Sequence, residues 1–179
     1  MSARAANGLL TAINPGTFDP VTLGHVDVIR RAAAIFDRVV VGVVRDPQHK
    51  RPLFSVEERV AFLEEALTDV SNAVVDVFSQ LVVDFARKHD AKTMVKGLRV
   101  IADFEWEFQM NRLNYLLAPE IETMYVMSSP EYAFISSSGV KEIASFGGRV
   151  DELVPHGVAR RFRELYPDGR PGAPLSPQE

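Results

Sequence analysis

Three short segments carry residues able to do chemistry. The first is Pro15-Gly16-Thr17-Phe18-Asp19-Pro20-Val21-Thr22-Leu23-Gly24-His25, with hydroxyls, glycines and an imidazole between the apolar run Leu9 to Ile13 and a helical pattern. A strand, a tight turn and a helix starting near Gly24-His25 are expected. Free amides and the positive dipole end of a helix start attract phosphate, and glycine admits close approach to the backbone. The second is Lys96-Gly97-Leu98-Arg99, followed by Asp103-Phe104-Glu105-Trp106-Glu107. Two cations after a strand can meet one anion, Arg99 as a planar fork and Lys96 as a point charge; taken alone, they read equally as solvated surface cations. The third is Tyr132-Ala133-Phe134-Ile135-Ser136-Ser137-Ser138-Gly139. Hydroxyls at a helix start suit phosphate, although one serine as an ordinary N-cap explains them too. The common theme is a nucleotide phosphate.

The elements that must position these residues alternate. Strand patterns cover residues 9–13, 39–44, 74–78, 93–96 and 122–127, and helical patterns cover 24–36, 55–67, 82–88, 103–117, 137–146 and 155–165. Ser55 and Glu58 form a capping box, Pro119 ends the fourth helix, Gly147-Gly148 suits a C-cap and Pro155 suits a first helical turn. The expected fold is α/β, a Rossmann-like doubly wound parallel five-stranded sheet with helices on both faces and a C-terminal helix. One domain is expected over residues 1–166, with a Pro/Gly-rich disordered tail over 167–179. In such sheets ligands sit beyond the carboxyl ends of the strands. Thr17, Lys50, Leu81, Lys96 and Ser129 follow strand patterns and are expected to converge there.

Composition narrows the function. The 179 residues include 46% hydrophobic and 25% charged side chains, a net charge of -4 and no cysteine. General nucleic-acid binding is not expected of an acidic chain. Disulfides and thiolate metal ligands are excluded, and no two histidines lie at metal-ligand spacing beside a carboxylate, so no protein-held metal is expected. No apolar run approaches the ~18 residues of a membrane span, and Met1 to Asn7 lacks a secretory apolar region. No membrane association and a cytoplasmic location are expected.

Together the segments resemble the bacterial phosphopantetheine adenylyltransferases. Thr22-Leu23-Gly24-His25 is similar to the T-x-G-H form of the nucleotidyltransferase "HxGH" motif. Phe18-Asp19-Pro20, Gly97-Leu98-Arg99, Asp103 to Glu107, Ile135 to Ser138 and Lys141-Glu142 match further family motifs, and the resemblance spans residues 9 to 165. It implies transfer of the adenylyl group of ATP to 4′-phosphopantetheine, giving dephospho-coenzyme A and pyrophosphate, the penultimate step of coenzyme A biosynthesis. It implies His25, Lys50 and Arg99 as catalytic. ATP would meet Thr17, Phe18, His25, Gly97, Leu98, Arg99, Glu107 and the run Tyr132, Ala133, Phe134, Ile135, Ser136, Ser137 and Ser138. Phosphopantetheine would meet Thr17, Lys50, Leu81, Val82, Lys96 and Asn114. Within Asp46 to Pro52 the lysine position falls on Lys50, with Arg51 and His49 as alternatives, and Lys96 stands where the family often has arginine. A homohexamer, Mg²⁺ bound mainly through the ATP phosphates, and coenzyme A as a feedback ligand are implied as well.

The reaction needs no base or covalent intermediate, because a phosphate nucleophile is already anionic. It needs two polyanions held in line and developing charge stabilised. Two rival readings remain: a relative with another acceptor, such as nicotinamide mononucleotide, and a non-catalytic nucleotide-binding regulator. Thr22 and the Lys96 to Glu107 block favour phosphopantetheine; the presence of His25, Lys50 and Arg99 favours catalysis.

Overall fold

The computed structural model describes residues 8–48 and 51–167, with the backbone alone for residues 101–103. His49, Lys50 and residues 168–179 of the expected tail lie outside the described residues. In chain order the elements are β1 (Thr11–Gly16), α1 (Leu23–Ala33), β2 (Arg38–Val44), α2 (Val56–Ala66), β3 (Ala73–Phe78), α3 (Val82–Lys88), β4 (Thr93–Leu98), α4 (Ile101–Leu117), β5 (Glu122–Met127), a 3-10 turn (Pro130–Tyr132), α5 (Ser137–Ser145) and α6 (His156–Leu165).

The five strands form one parallel sheet in the order β3-β2-β1-β4-β5. Both faces are covered, as the continuous apolar runs of β2 require. Ala12, Val39, Val41, Val43 and Val95 pack on the side of α1, α2, α5 and α6. Their strand neighbours Ile13, Val40 and Met94 pack on the other side with Val83, Phe85 and Ala86 of α3.

The chain reverses its winding between β1 and β4, where open sheets of this type bind ligands. The β1–β4 ladder is short, pairing only Ala12 with Thr93 and Ile13 with Met94. Beyond it the buried Asn14 side-chain amide donates to the Val95 carbonyl at 2.8 Å. The carboxyl ends of these strands are thus joined by a side chain rather than by a continuing ladder.

Several boundaries differ from expectation; α1 ends at Ala33 rather than at residue 36, and α4 begins at Ile101 rather than at 103. β1 runs over Thr11–Gly16, not residues 9–13: Leu9 and Leu10 are exposed, whereas Asn14 is buried because Val95 satisfies it. β4 continues through Gly97 and Leu98, since Lys96, Gly97 and Leu98 pair with Tyr125, Val126 and Met127. Lys96, Gly97 and Leu98 are therefore strand residues, and only Arg99 follows the strand. Pro155 is the N-cap of α6 rather than a first-turn residue. The expected caps of α2 and α5 are present. Ser55 and Glu58 exchange side-chain and backbone bonds. Gly147, at φ 79°, ends α5 in a Schellman turn, with Gly147 and Gly148 amides donating to Ala144 and Ile143.

Candidate active site

The histidine of the first segment is held by its own helix cap. Thr22 is the N-cap of α1, and its backbone N–H donates to His25 Nδ1 at 3.0 Å. The His25 amide donates back to Thr22 Oγ1 at 3.4 Å, and Oγ1 lies 3.1 Å from Nδ1. The motif is thus a capping box with histidine in the place usually taken by Glu or Gln. Because an amide N–H only donates, Nδ1 must be unprotonated, and the neutral ring carries its proton on Nε2. Desolvation, followed by the Arg99 charge, lowers the His25 pKa to about 4. At neutral pH the ring is an uncharged Nε2–H donor at the start of α1.

Packing fixes the ring from below. Phe18, at φ 51°, is buried and meets the imidazole edge-on at 5.2 Å between ring centres. Gly16 is needed for this: a Cβ there would lie 2.9 Å from the Phe18 ring. The Gly16 space is therefore filled by Phe18, not held open for a ligand. Thr17, between them, gives its carbonyl to Arg59 at 2.9 Å.

The other two segments close on the same end of the sheet. Arg99 donates to the Ile135 carbonyl at 3.1 Å, joining the end of β4 to the residues before the serines. Ile135 itself is buried in the core, Tyr132 is partly buried against it, and Phe134 is 75% exposed. A Cβ on Gly24 would lie 3.4 Å from Tyr132 Cβ, so the 3-10 turn passes directly over the start of α1. Ser136 caps α5 through the Gly139 amide at 3.0 Å and lies 3.3 Å from Ser138 Oγ, while Ser137 Oγ donates to the Pro20 carbonyl at 2.8 Å. The starts of α1 and α5 are thus tied together, and each helix has its third amide capped, His25 by Thr22 Oγ1 and Gly139 by Ser136 Oγ.

Comparison with known proteins decides what this arrangement belongs to. The cytidylyltransferase-like family model matches residues 13–143. A phosphopantetheine adenylyltransferase of Caldanaerobacter subterraneus is 50% identical over 155 residues, covering 87% of this chain and 96% of its own. One of Heliobacterium modesticaldum is 49% identical over 160 residues, covering 89% and 95%. The chain belongs to the phosphopantetheine adenylyltransferases. A lipopolysaccharide core biosynthesis protein of Thermoplasma volcanium, 23% identical with a TM-score of 0.50 over 68% of this chain and 98% of its own, shares the fold alone.

For a phosphopantetheine adenylyltransferase, the remaining expected positions are spread over β4, the start of α3, α4 and the approach to α2. Lys96 and Glu107 form an ion pair at 3.4 Å on the sheet face opposite α1, and the Tyr125 hydroxyl donates to the Glu107 carbonyl at 3.1 Å. Gly97 points the other way; a Cβ there would lie 2.9 Å from Val28 of α1. Leu98 is buried, so its side chain serves the core. Leu81 is exposed at the start of α3, and Val82 packs on the second core. Asn114 lies two turns beyond Glu107 on α4, about 10 Å along the axis. Arg51 is exposed. Trp106 is 60% exposed and joins no core. Among the described residues no group of three His, Asp or Glu side chains is arranged to hold a metal.

The structure also shows residues that sequence reasoning missed. Arg59, 1% exposed, donates to the carbonyls of Phe54, Thr17, Val44 and Arg45 at 2.8–3.2 Å. Asp27 accepts from the Ser129 amide and hydroxyl, and Arg31 donates to the Met127 carbonyl, pinning the end of β5 onto α1. Ser129 is thereby engaged by Asp27. No local pattern announces these partners, which lie up to 102 residues away.

Proposed function

We propose that this chain transfers the adenylyl group of ATP to 4′-phosphopantetheine by direct in-line attack, without a covalent enzyme intermediate. An anionic phosphate oxygen of phosphopantetheine forms a bond to the α-phosphorus. The bond from that phosphorus to the bridging oxygen breaks, and pyrophosphate leaves with the electron pair. The observation that carries this reading is the fixed, neutral His25 with Nε2–H at the start of α1. A neutral donor stabilises charge developing on a non-bridging α-phosphate oxygen and has no proton to pass to a nucleophile that needs none. Thr17, Arg99, Lys50 and the α5 start, Ser136 to Ser138, hold the phosphates; Phe18 contributes by supporting His25. Gly97, Leu98 and the run Tyr132 to Ile135 form the nucleotide wall. Thr17, Lys50, Lys96, Leu81, Val82 and Asn114 hold the acceptor, and Glu107, which the resemblance assigns to ATP, pairs with Lys96. Mg²⁺ would be held mainly by the ATP phosphates and would supply charge neutralisation there.

We propose further that the chain is a cytoplasmic homohexamer for which coenzyme A is a feedback ligand. The oligomer is supported by an unusually apolar exposed surface on α4 and the edge strand β5, including Phe104, Trp106, Phe108, Leu116 and Met127. Among the described residues no helix is long and apolar enough to cross a membrane.

The test is pyrophosphate release from ATP and Mg²⁺ with phosphopantetheine, beside nicotinamide mononucleotide and a no-acceptor control. Release with phosphopantetheine alone, matched by dephospho-coenzyme A, is expected. Release only with the other acceptor would refute the acceptor assignment. Silence with both, despite ATP binding, would favour a non-catalytic regulator.

A further inference from the structure

Within the two family-like motifs Phe18-Asp19-Pro20 and Lys141-Glu142, Asp19 and Lys141 have no role in the mechanism above. The structure joins them. Lys141 of α5 meets Asp19 at 2.6 Å, across 122 residues of sequence. Asp19 is buried, and the Lys141 side chain is only 17% exposed. The same carboxylate accepts the Leu53 amide at 3.0 Å and the Phe54 amide at 2.9 Å. One buried anion therefore binds three segments: the phosphate loop in which it lies, the approach to α2, and the serine-tipped helix α5.

The geometry points to Asp19 and Lys141 as positioning residues. We infer that their ion pair sets the distance between the starts of α1 and α5, and hence between His25 Nε2 and the Ser136–Ser138 turn. Two observations make this more than a surface pair. First, α5 makes a second contact with the same loop, Ser137 Oγ to the Pro20 carbonyl, so its first two turns are both indexed on residues 19 and 20. Second, the pair is largely withdrawn from solvent, where removing one partner leaves an uncompensated charge and the geometry is strongly enforced. Lys141 has the charge to bind a nucleotide phosphate directly. Its 2.6 Å bond to Asp19 assigns it instead to holding the helix whose amides and hydroxyls face that phosphate.

The inference rests on the adenylyl-transfer reading, and the experiment separates the two. Lys141→Met, Lys141→Arg, Asp19→Asn and the double variant Asp19→Asn/Lys141→Met are compared with wild type for kcat, ATP affinity by calorimetry, and Tm. A wild type that releases no pyrophosphate overturns the functional reading. With an active wild type, Lys141→Met is expected to lose roughly 10- to 100-fold in kcat, as misplacement by about an ångström does, with ATP affinity changed less than about threefold. Lys141→Arg is expected to retain most activity, and the double variant to be no slower than the slower single variant, as for two residues acting as one pair. If Lys141→Met instead weakens ATP binding tenfold or more while Asp19→Asn does not, Lys141 is a phosphate ligand and the inference fails. It fails equally if Lys141→Met is as fast as wild type, or if the two losses multiply. Should Asp19→Asn not fold, the Lys141→Met and Lys141→Arg pair still decides between these outcomes, through kcat against ATP affinity.

Discussion

At the residue scale, His25 is both a helix cap and the central donor of the proposed site. His25→Ala is expected to lower kcat by ~10² to 10³, the cost of one transition-state donor, measured under saturating substrates. Nitrogen-15 NMR of the imidazole is expected to show a protonated Nε2 and a bare Nδ1 at pH 7, with titration only near pH 4. The unfolded chain takes up this proton near pH 6.5, and the folded one resists it until about 4. The His25 contribution therefore makes stability fall as pH falls through that window; a urea series from pH 7 to pH 4, compared with His25→Gln, checks the sign. Arg59→Ala is expected to cost about 3–5 kcal/mol in the same assay, because four backbone carbonyls lose a buried charged donor. His25, Arg99 and the serines were legible in sequence because each sits in a short run whose chemistry is local. The burial of Arg59 and the pairing of Asp19 with Lys141 were not, since a charged residue that will be buried reads like any surface charge until its distant partners are known.

At the scale of elements, the close seating of α1 on β4 governs where His25 stands. Gly97→Ala would push its Cβ into Val28, three residues along α1 from His25. It is expected to destabilise by about 1–3 kcal/mol and to reduce kcat, with Val28→Ala restoring part of both. α6 is tied back by Arg161, which meets Glu58 at 2.7 Å while Glu58 caps α2. β2, α3 and β5 were readable because β-branched runs, helical spacing and breakers agreed. β1 and β4 were misjudged at their ends: Asn14 hides in the sheet through one side-chain bond, and Gly97 and Leu98, beyond the expected end at Lys96, pair fully with β5.

At the scale of the whole molecule, the exposed face of α4 and β5 makes a specific demand. Leu116, 77% exposed, is a large apolar side chain with no use in a monomer's core. Leu116→Asp with Met127→Asp is expected to lower the mass measured by light scattering while leaving the far-ultraviolet circular dichroism unchanged. Neither the partner nor the patch could be read from periodicity, because α4 is apolar around much of its circumference and shows no single stripe. The strand order has a different consequence, for synthesis on the ribosome. The central strand β1 leaves early and can pair with β2 at once, but its other edge waits for β4, whose first residue comes 82 positions after that of β1. A nascent chain halted before residue 93 would hold three of the five strands with the backbone edge of β1 unpaired, a template for pairing with its neighbours on a polysome.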